Sequence, residues 1–458
     1  MVAMTRESDR AVIRSGSSIP DAPGAYPLVG HAPYLARNPP PWLAACRQAG
    51  SIVRVRLGPR PAYLVCAPEL VHRMLVIDVE AFDKGGPILD NARPFVGNGL
   101  VTSAHAEHRR QRRIMQSAFG PGLIDGYASV FQQESDAMIS SWAAGKEIDF
   151  LAEAHALVAR TLARTLLPEA ELPESSWLAD KIADFQAGLL IRTALPHPWI
   201  RRLPLPANRR FEQARSQLQS SARRAIAAAR TRPTAGSLVD NLMAARDTDG
   251  DALTDQELVD QIITLLLGGT EPTACTLAWA VHLLTQHPDI QRRLQDEMDS
   301  VLNGRTVGPE DFRKLRLTRN VLQETLRLYP IVWMMTRVNT REVTLGDHRF
   351  PAGTDFLFSA YQLQHDPAHF PQPERFDPDR WDTPVSASTR QAHIPFGQGR
   401  RKCIGDTFGM AEATIALSTI LTRWHLRPAP NSRVRKRFRS DLSPTELRII
   451  PHPRHSRT

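Results

Sequence analysis

The sequence predicts a mainly α-helical protein with small β-sheets, and three observations carry that expectation. Long apolar-periodic stretches occupy residues 127–168, 176–192, 208–230 and 255–285, with shorter ones at 288–302, 318–328 and 405–423. Strand-like runs are brief by comparison, at 52–57, 62–66, 334–360 and 444–451. No repeat, low-complexity tract or shift in composition divides the 458 residues, so a single domain over 19–451 is expected between a flexible tail at 1–18 and a second tail at 452–458.

The elements follow in order. Pro20, Pro23, Gly24, Pro27, Gly30 and Pro33 make residues 19–40 a segment expected to run extended. Short strands come next, and helix dominates from about His108 onward. One helical stretch is expected to give way at Leu195-Pro196-His197-Pro198-Trp199. Thr254-Asp255-Gln256-Glu257 is a capping box that opens a long apolar helix, Ile262 to Leu284, expected to cross the centre of the protein.

Composition narrows the function. The net charge of +9 rests on arginine, since lysine occurs only at Lys84, Lys146, Lys181, Lys314, Lys402 and Lys436. The arginines are scattered and accompany no nucleic-acid reading module, which points away from nucleic acid and toward an acidic protein partner or a plain solvated surface. Cys46, Cys66, Cys275 and Cys403 are too few and too widely spaced for a disulfide framework or a zinc site, so a reducing compartment is expected. With no apolar targeting segment among the first 18 residues and no bilayer-length run, the expectation is a cytoplasmic protein without a membrane anchor.

The densest signal is Phe396-Gly397-Gln398-Gly399-Arg400-Arg401-Lys402-Cys403-Ile404-Gly405. Gly397 and Gly399 permit positive φ and hence a tight loop. Cys403 comes just before a helix opened by Gly405, Asp406 and Thr407, where free amides and the helix dipole favour a thiolate. A thiolate is a strong donor to iron, and Cys46, Cys66 and Cys275 lack any such setting and read as inert buried thiols.

This ten-residue pattern resembles the haem-binding signature of the cytochromes P450, and further blocks extend the resemblance over nearly the whole chain. Glu324-Thr325-Leu326-Arg327 and Pro373-Glu374-Arg375-Phe376 are similar to the family's charge cluster, in which Glu324, Arg327 and Arg375 would form a buried structural triad. His108-Arg109-Arg110-Gln111-Arg112-Arg113 resembles a helix beside the haem, with histidine where tryptophan is commoner. The resemblance implies a P450 fold, haem b with Cys403 as axial ligand, and O2 as co-substrate. It also implies propionate contacts from Arg401, His108, Arg112 and Arg337, and shielding of the sulfur by Phe396.

In the family the central helix carries a small residue, a glycine, an acid and an alcohol, which make room for dioxygen and manage protons. Here the block is Gly268-Gly269-Thr270-Glu271-Pro272-Thr273, so Gly268, Gly269 and Glu271 are kept and Pro272 replaces the alcohol. Proline removes a donor and is expected to kink the helix. Protons are then expected to travel by way of Glu271 with a water, the hydroxyl of Thr273, or the substrate. The same departure leaves desaturation or ring coupling open as outcomes.

The resemblance places the substrate among residues 83–101, 184–200, 265–273, 331–336 and 441–443, which are mostly apolar. Two blocks, Phe82–Pro87 with Gly97–Leu100 and Gly405–Met410, are similar to bacterial terpene oxygenases of the pentalenene-oxidising kind, which implies a cyclic terpene of specialised metabolism. Because no reductase domain fits after residue 451, electrons are expected from a separate ferredoxin and its reductase, docking on Arg109, Arg110, Arg113, Arg400 and Lys402. The protein is expected to act as a monomer. A haem-based sensor is the alternative from another class, and the acid in the oxygen groove weighs against it.

Overall fold

The computed structural model describes residues 18–57, 61–167, 175–194, 203, 205–232 and 236–454. The expected break at Leu195–Trp199 and most of both expected tails lie outside them. The fold is mostly helical with small sheets. Its contacts fall into two compact units, the first assembled from the described residues up to Gly86, Met334–Pro373 and Ser386–Lys402, the second from Pro87–Trp333, Glu374–Val385 and the residues from Cys403 onward.

The first unit is built on a five-stranded sheet in the order Ile52–Arg56, Pro61–Val65, Asp355–Phe358, Met335–Asn339, Phe82–Asp83. Pro61–Val65 and Asp355–Phe358 pair in parallel, and the other neighbours are antiparallel. Alternation along these strands points Tyr63, Phe82 and Phe356 to one side, where they meet Phe350 from the hairpin Val343–Leu345/His348–Phe350. Edge-to-face contacts at 4.9 Å join Phe350 to both Tyr63 and Phe356.

The expectation of an extended run over 19–40 holds only at its start, where the backbone of Ala22 bonds that of Arg54. Helices Ala32–Arg37 and Pro39–Ala49 follow. Both carry proline in the first turn, where an amide is unpaired in any helix and the ring's φ already suits one, so these prolines start helices instead of preventing them.

The second unit holds the long helices. The stretch read as one helix over 127–168 is two, Pro121–Ser140 and Phe150–Leu166, parted by a short strand, Ile148–Asp149, which pairs with the strand Arg448–Pro453. Asp149 caps the second helix through the amide of Ala152. The last strand continues to Pro453, so His452 and Pro453 belong to a sheet and not to a tail.

The central helix spans Asp255–Gln286, 32 residues, and its capping box is formed: Thr254 accepts from the Glu257 amide while the Glu257 carboxylate accepts from the Thr254 amide. It is apolar on most sides, which is how a helix reads when other helices surround it. Helices Phe150–Leu166, Pro206–Thr231 and Asp406–Arg423 pack against it. Leu277, Ala278, Val281 and Leu284 are wholly buried, and Trp279 stacks on Tyr329 at 4.0 Å while donating to the Leu442 carbonyl. Burial on this scale is worth about 1.5–3 kcal/mol for each large side chain. The helix is unbroken across Pro272. Among the described residues, no helix is long and apolar enough to cross a membrane.

Candidate active site

In the first unit, Gly397 and Gly399 adopt φ of +70° and +68°, the left-handed conformation expected of the loop. A side chain at Gly399 would also run into the Leu75 carbonyl oxygen, 1.9 Å from where its Cβ would stand. Phe396 is half-buried. The loop delivers Arg401 to Asp83, with which it forms an ion pair, and its side chain is only 4% exposed. Arg337 is buried nearby on the strand Met335–Asn339, donating to the Thr336 carbonyl and resting over the Phe358 ring. Burial, then the like charge of Arg401, pushes Arg337 down to about 10, with Asp83 opposing. Two buried guanidiniums side by side are costly unless an anion joins them.

In the second unit, Cys403 is exposed and Gly405 is the N-cap of the helix Asp406–Arg423. His108 is buried on the helix His105–Gln116. Arg112, one turn on, is held below its usual value by burial, and the charges of Cys403 and Asp406 work the other way. Arg112 is thus within electrostatic reach of the cysteine.

The proposed basic dock is largely neutralised locally. Arg110 pairs with Glu257 at the start of the central helix, Arg113 lies 3.5 Å from Asp247, and in the first unit Arg400 pairs with Glu80. Three of the five expected docking charges are therefore tied to carboxylates, which weakens the field they present.

The central helix bears on two of the expected site residues. A side chain at Gly268 would enter open space, whereas one at Gly269 would stand 3.1 Å from a Leu162 methyl. Thr273 turns its Oγ1 toward Gly409 of the helix after the cysteine, 3.3 Å from where a Cβ would be, and so occupies a helix interface. Pro272 sits in the continuous helix, and the amide that the Gly268 carbonyl would otherwise bond is missing.

Glu271 is held in a cluster that the sequence reading did not foresee. Its Oε2 is 3.0 Å from Nε2 of His155, whose Nδ1 contacts the Leu151 carbonyl, and Cys275 donates to Oε1 at 3.6 Å. Asp441 lies beside Glu271, and the two carboxyls act on each other. Burial works to raise Glu271, but His155 wins and brings it to about 2, while burial and then Glu271 push Asp441 up to about 6. Against its burial, His155 is raised by the same carboxylate. Cys275 is raised well above the usual thiol range by burial and by Glu271, so it serves as a neutral donor. Only contact between residues far apart in the chain reveals this cluster; the Glu271–Cys275 spacing of one helical turn was the one local clue.

The buried cluster at Glu324 exists, with different membership. Arg327 forms a two-pronged pair with Glu324, both side chains wholly buried. Trp381 Nε1 and the Asp377 amide also donate to Glu324, and Arg380 lies 3.4 Å away. Arg375 is an exposed residue that accepts from Arg327 through its carbonyl, so the second arginine on Glu324 is Arg380 and not Arg375.

The Gly97–Leu100 block has a structural reason. The Asn98 amide donates to Asp260 and the Leu100 amide to Gln261, and a Cβ on Gly99 would stand 2.1 Å from Thr264 Oγ1, so glycine lets this loop lie on the central helix. Ile331 and Trp333, expected at the substrate, are buried, and Trp333 donates to the Arg439 carbonyl; Val332 is exposed.

Each unit holds groups that suit a haem. The first unit offers buried guanidiniums that suit carboxylates, and the second a cysteine near a helix N-terminus and open space at Gly268. The family model for cytochrome P450 matches residues 20–451. The chain is 43% identical to cyclooctatin synthase of Streptomyces melanosporofaciens over 94% of this chain and 95% of that protein. It is 40% identical to pentalenene oxygenase of Streptomyces avermitilis over 95% and 96%, and 41% identical to cyclooctat-9-en-7-ol 5-monooxygenase of Streptomyces melanosporofaciens over 90% of each. The chain belongs to the cytochrome P450 family and is a haem-thiolate monooxygenase.

Proposed function

We propose that this monooxygenase oxidises an apolar cyclic terpene, with Cys403 as the iron's axial ligand and electrons from a separate ferredoxin and its reductase. Similarity at 40–43% identity across nearly the full length of the relatives named above carries the substrate class. The glycine-turned loop that ends at Cys403 supports that cysteine as the ligand. Bound haem supplies the activation of dioxygen that inserts one oxygen atom. Arg337, Arg401 and Arg112 supply positive charge for carboxylates of the cofactor, His108 supplies an N–H donor, and Gly268 keeps a space open on the central helix. An acidic ferredoxin suits the basic chain, with Arg109 and Lys402 as exposed contacts. A cytoplasmic location and a monomeric state complete the reading.

Pro272 favours a second outcome of the same reaction cycle, desaturation or ring coupling, because no side-chain alcohol at that position can help deliver protons. The test pairs a spectrum with a product. Reduced protein treated with carbon monoxide should show thiolate-ligated haem in the wild type and lose that signature in Cys403→Ser; an unchanged spectrum in the variant defeats the ligand assignment. Incubation with cyclic terpene hydrocarbons, ferredoxin, reductase and labelled dioxygen should give one labelled oxygen per product. An unlabelled, hydrogen-poorer product supports the second outcome, and no turnover of any cyclic terpene defeats the substrate class.

A further inference from the structure

The central helix has proline where an alcohol would directly follow Glu271, and Glu271 sits in a group of titratable side chains. Neighbouring elements contribute. His155 comes from the helix Phe150–Leu166, Cys275 from the next turn of the central helix, and Asp441 from the turn between strands Lys436–Phe438 and Leu442–Pro444. Arg437, on the first of those strands, faces the group and is itself engaged with Ser443 Oγ at 3.1 Å. Ser440 donates to Asp441 Oδ1 at 2.8 Å.

The donors are unequally divided. Glu271 has His155 on Oε2 and Cys275 on Oε1. Asp441 Oδ2 is buried and, with both carboxyls ionised, has no donor to meet it. Two carboxylates in contact without a proton repel each other, and an unmet buried oxygen adds its own cost. One proton between them removes both penalties, because the protonated Asp441 becomes a donor to Glu271. We propose that Glu271 and Asp441 share a proton, and that Asp441 is the positioning acid that recharges Glu271 in place of the alcohol missing at Pro272. The inference rests on the monooxygenase reading only in its second half; the shared proton is a property of the resting protein.

The transfer is balanced within the cluster. Asp441 gives its proton to a Glu271 carboxylate oxygen, Glu271 passes one on toward the open side at Gly268, and solvent returns a proton to Asp441. His155 keeps one side of Glu271 oriented throughout and does not change partner.

Infrared difference spectra of the resting holoenzyme across pH test the first half. The wild type should lose one protonated-carboxyl band as pH rises through about 6, apart from that of Glu412, which burial pushes up to about 8. Asp441→Asn, which keeps the shape and a donor but not the proton, should lack that band while retaining the carbon-monoxide spectrum of thiolate-ligated haem. A band lost near pH 6 that persists in Asp441→Asn, or no such band in the wild type, overturns the shared proton. Peroxide released per NADPH consumed tests the second half. In Asp441→Asn, peroxide release should rise several-fold and kcat should fall with KM little changed, and coupling should lose the pH dependence it has in the wild type. Coupling equal to wild type at every pH overturns the recharging role even where the band behaves as expected. Absence of turnover by the wild type with any terpene would count against the substrate reading and leave the infrared result to decide the carboxyl pair.

Discussion

Two glutamates in the same unit, Glu324 wholly buried and Glu271 half-buried, are held in opposite ways. Glu324 is met by donors that never change charge: two guanidiniums, an indole N–H and a backbone amide. Glu271 is met by an imidazole and a second carboxyl, which titrate, and by a thiol held neutral. A carboxylate surrounded by permanent donors has one stable state and serves architecture. One surrounded by titrating partners has several states close in energy, as proton handling demands.

The largest effect follows from breaking the permanent set. Glu324→Gln leaves Arg327, wholly buried, without its counter-charge. Removing one member of a buried pair costs about 3–5 kcal/mol, a large share of the roughly 5–15 kcal/mol that holds a domain folded. Urea denaturation should register that loss at every pH between neutrality and mild alkali, along with poor haem retention. A cost below about 1 kcal/mol would mean that the cluster is not what fixes this part of the core.

A smaller effect separates the two arginines on Glu324. Arg380 is the more distant partner, at 3.4 Å and with its side chain 13% exposed, and water can replace part of its contribution. Arg380→Met should cost about 1.5–3 kcal/mol, the range for a hydrogen bond to a charged group. A cost equal to that of Glu324→Gln would make Arg380 the equal of Arg327.

How much of this was legible in the sequence differs between the two glutamates for a physical reason. Glu324 and Arg327 are one helical turn apart, so local spacing announces their pairing, and resemblance supplied a second arginine. It supplied Arg375, whose side chain is on an exposed residue, because the choice between Arg375 and Arg380 depends on how the turn at 374–381 folds back on the helix. The cysteine loop was legible through its glycines, since only a left-handed backbone explains them. The capping box was legible because it too is local. His155 and Glu271 are 116 residues apart, and no pattern within either helix predicts that they meet. The same limit hid the pairing of Arg110, read as a docking charge, with Glu257, 147 residues on. Helices Ala32–Arg37 and Pro39–Ala49 were hidden because proline both breaks helices and starts them, and composition alone does not say which.

The smallest expected effect is also the one that tells the two sites apart most sharply. His155 has a raised pKa in the folded chain, so its stabilising contribution is complete below the ordinary histidine value of 6.5 and disappears as pH rises through the folded value. Glu271, lowered to about 2, contributes above 4.5 and loses that contribution only as pH falls toward 2. Asp441 is an acid raised to about 6, so its contribution runs the other way, present below 3.8 and gone once pH has risen past about 6. Above pH 6.5, then, His155 alone among the three still changes its contribution. Urea midpoints measured upward from that pH should fall in the wild type, and the fall should be shallower in His155→Gln, whose amide still donates to Glu271 but cannot titrate. Arg380→Met should keep the full wild-type slope, because arginine holds its proton throughout this range. A variant His155→Gln with the wild-type slope would mean that the imidazole carries no extra proton in the fold, and the contrast between a permanent and a titrating glutamate site would then have to rest on Asp441 alone.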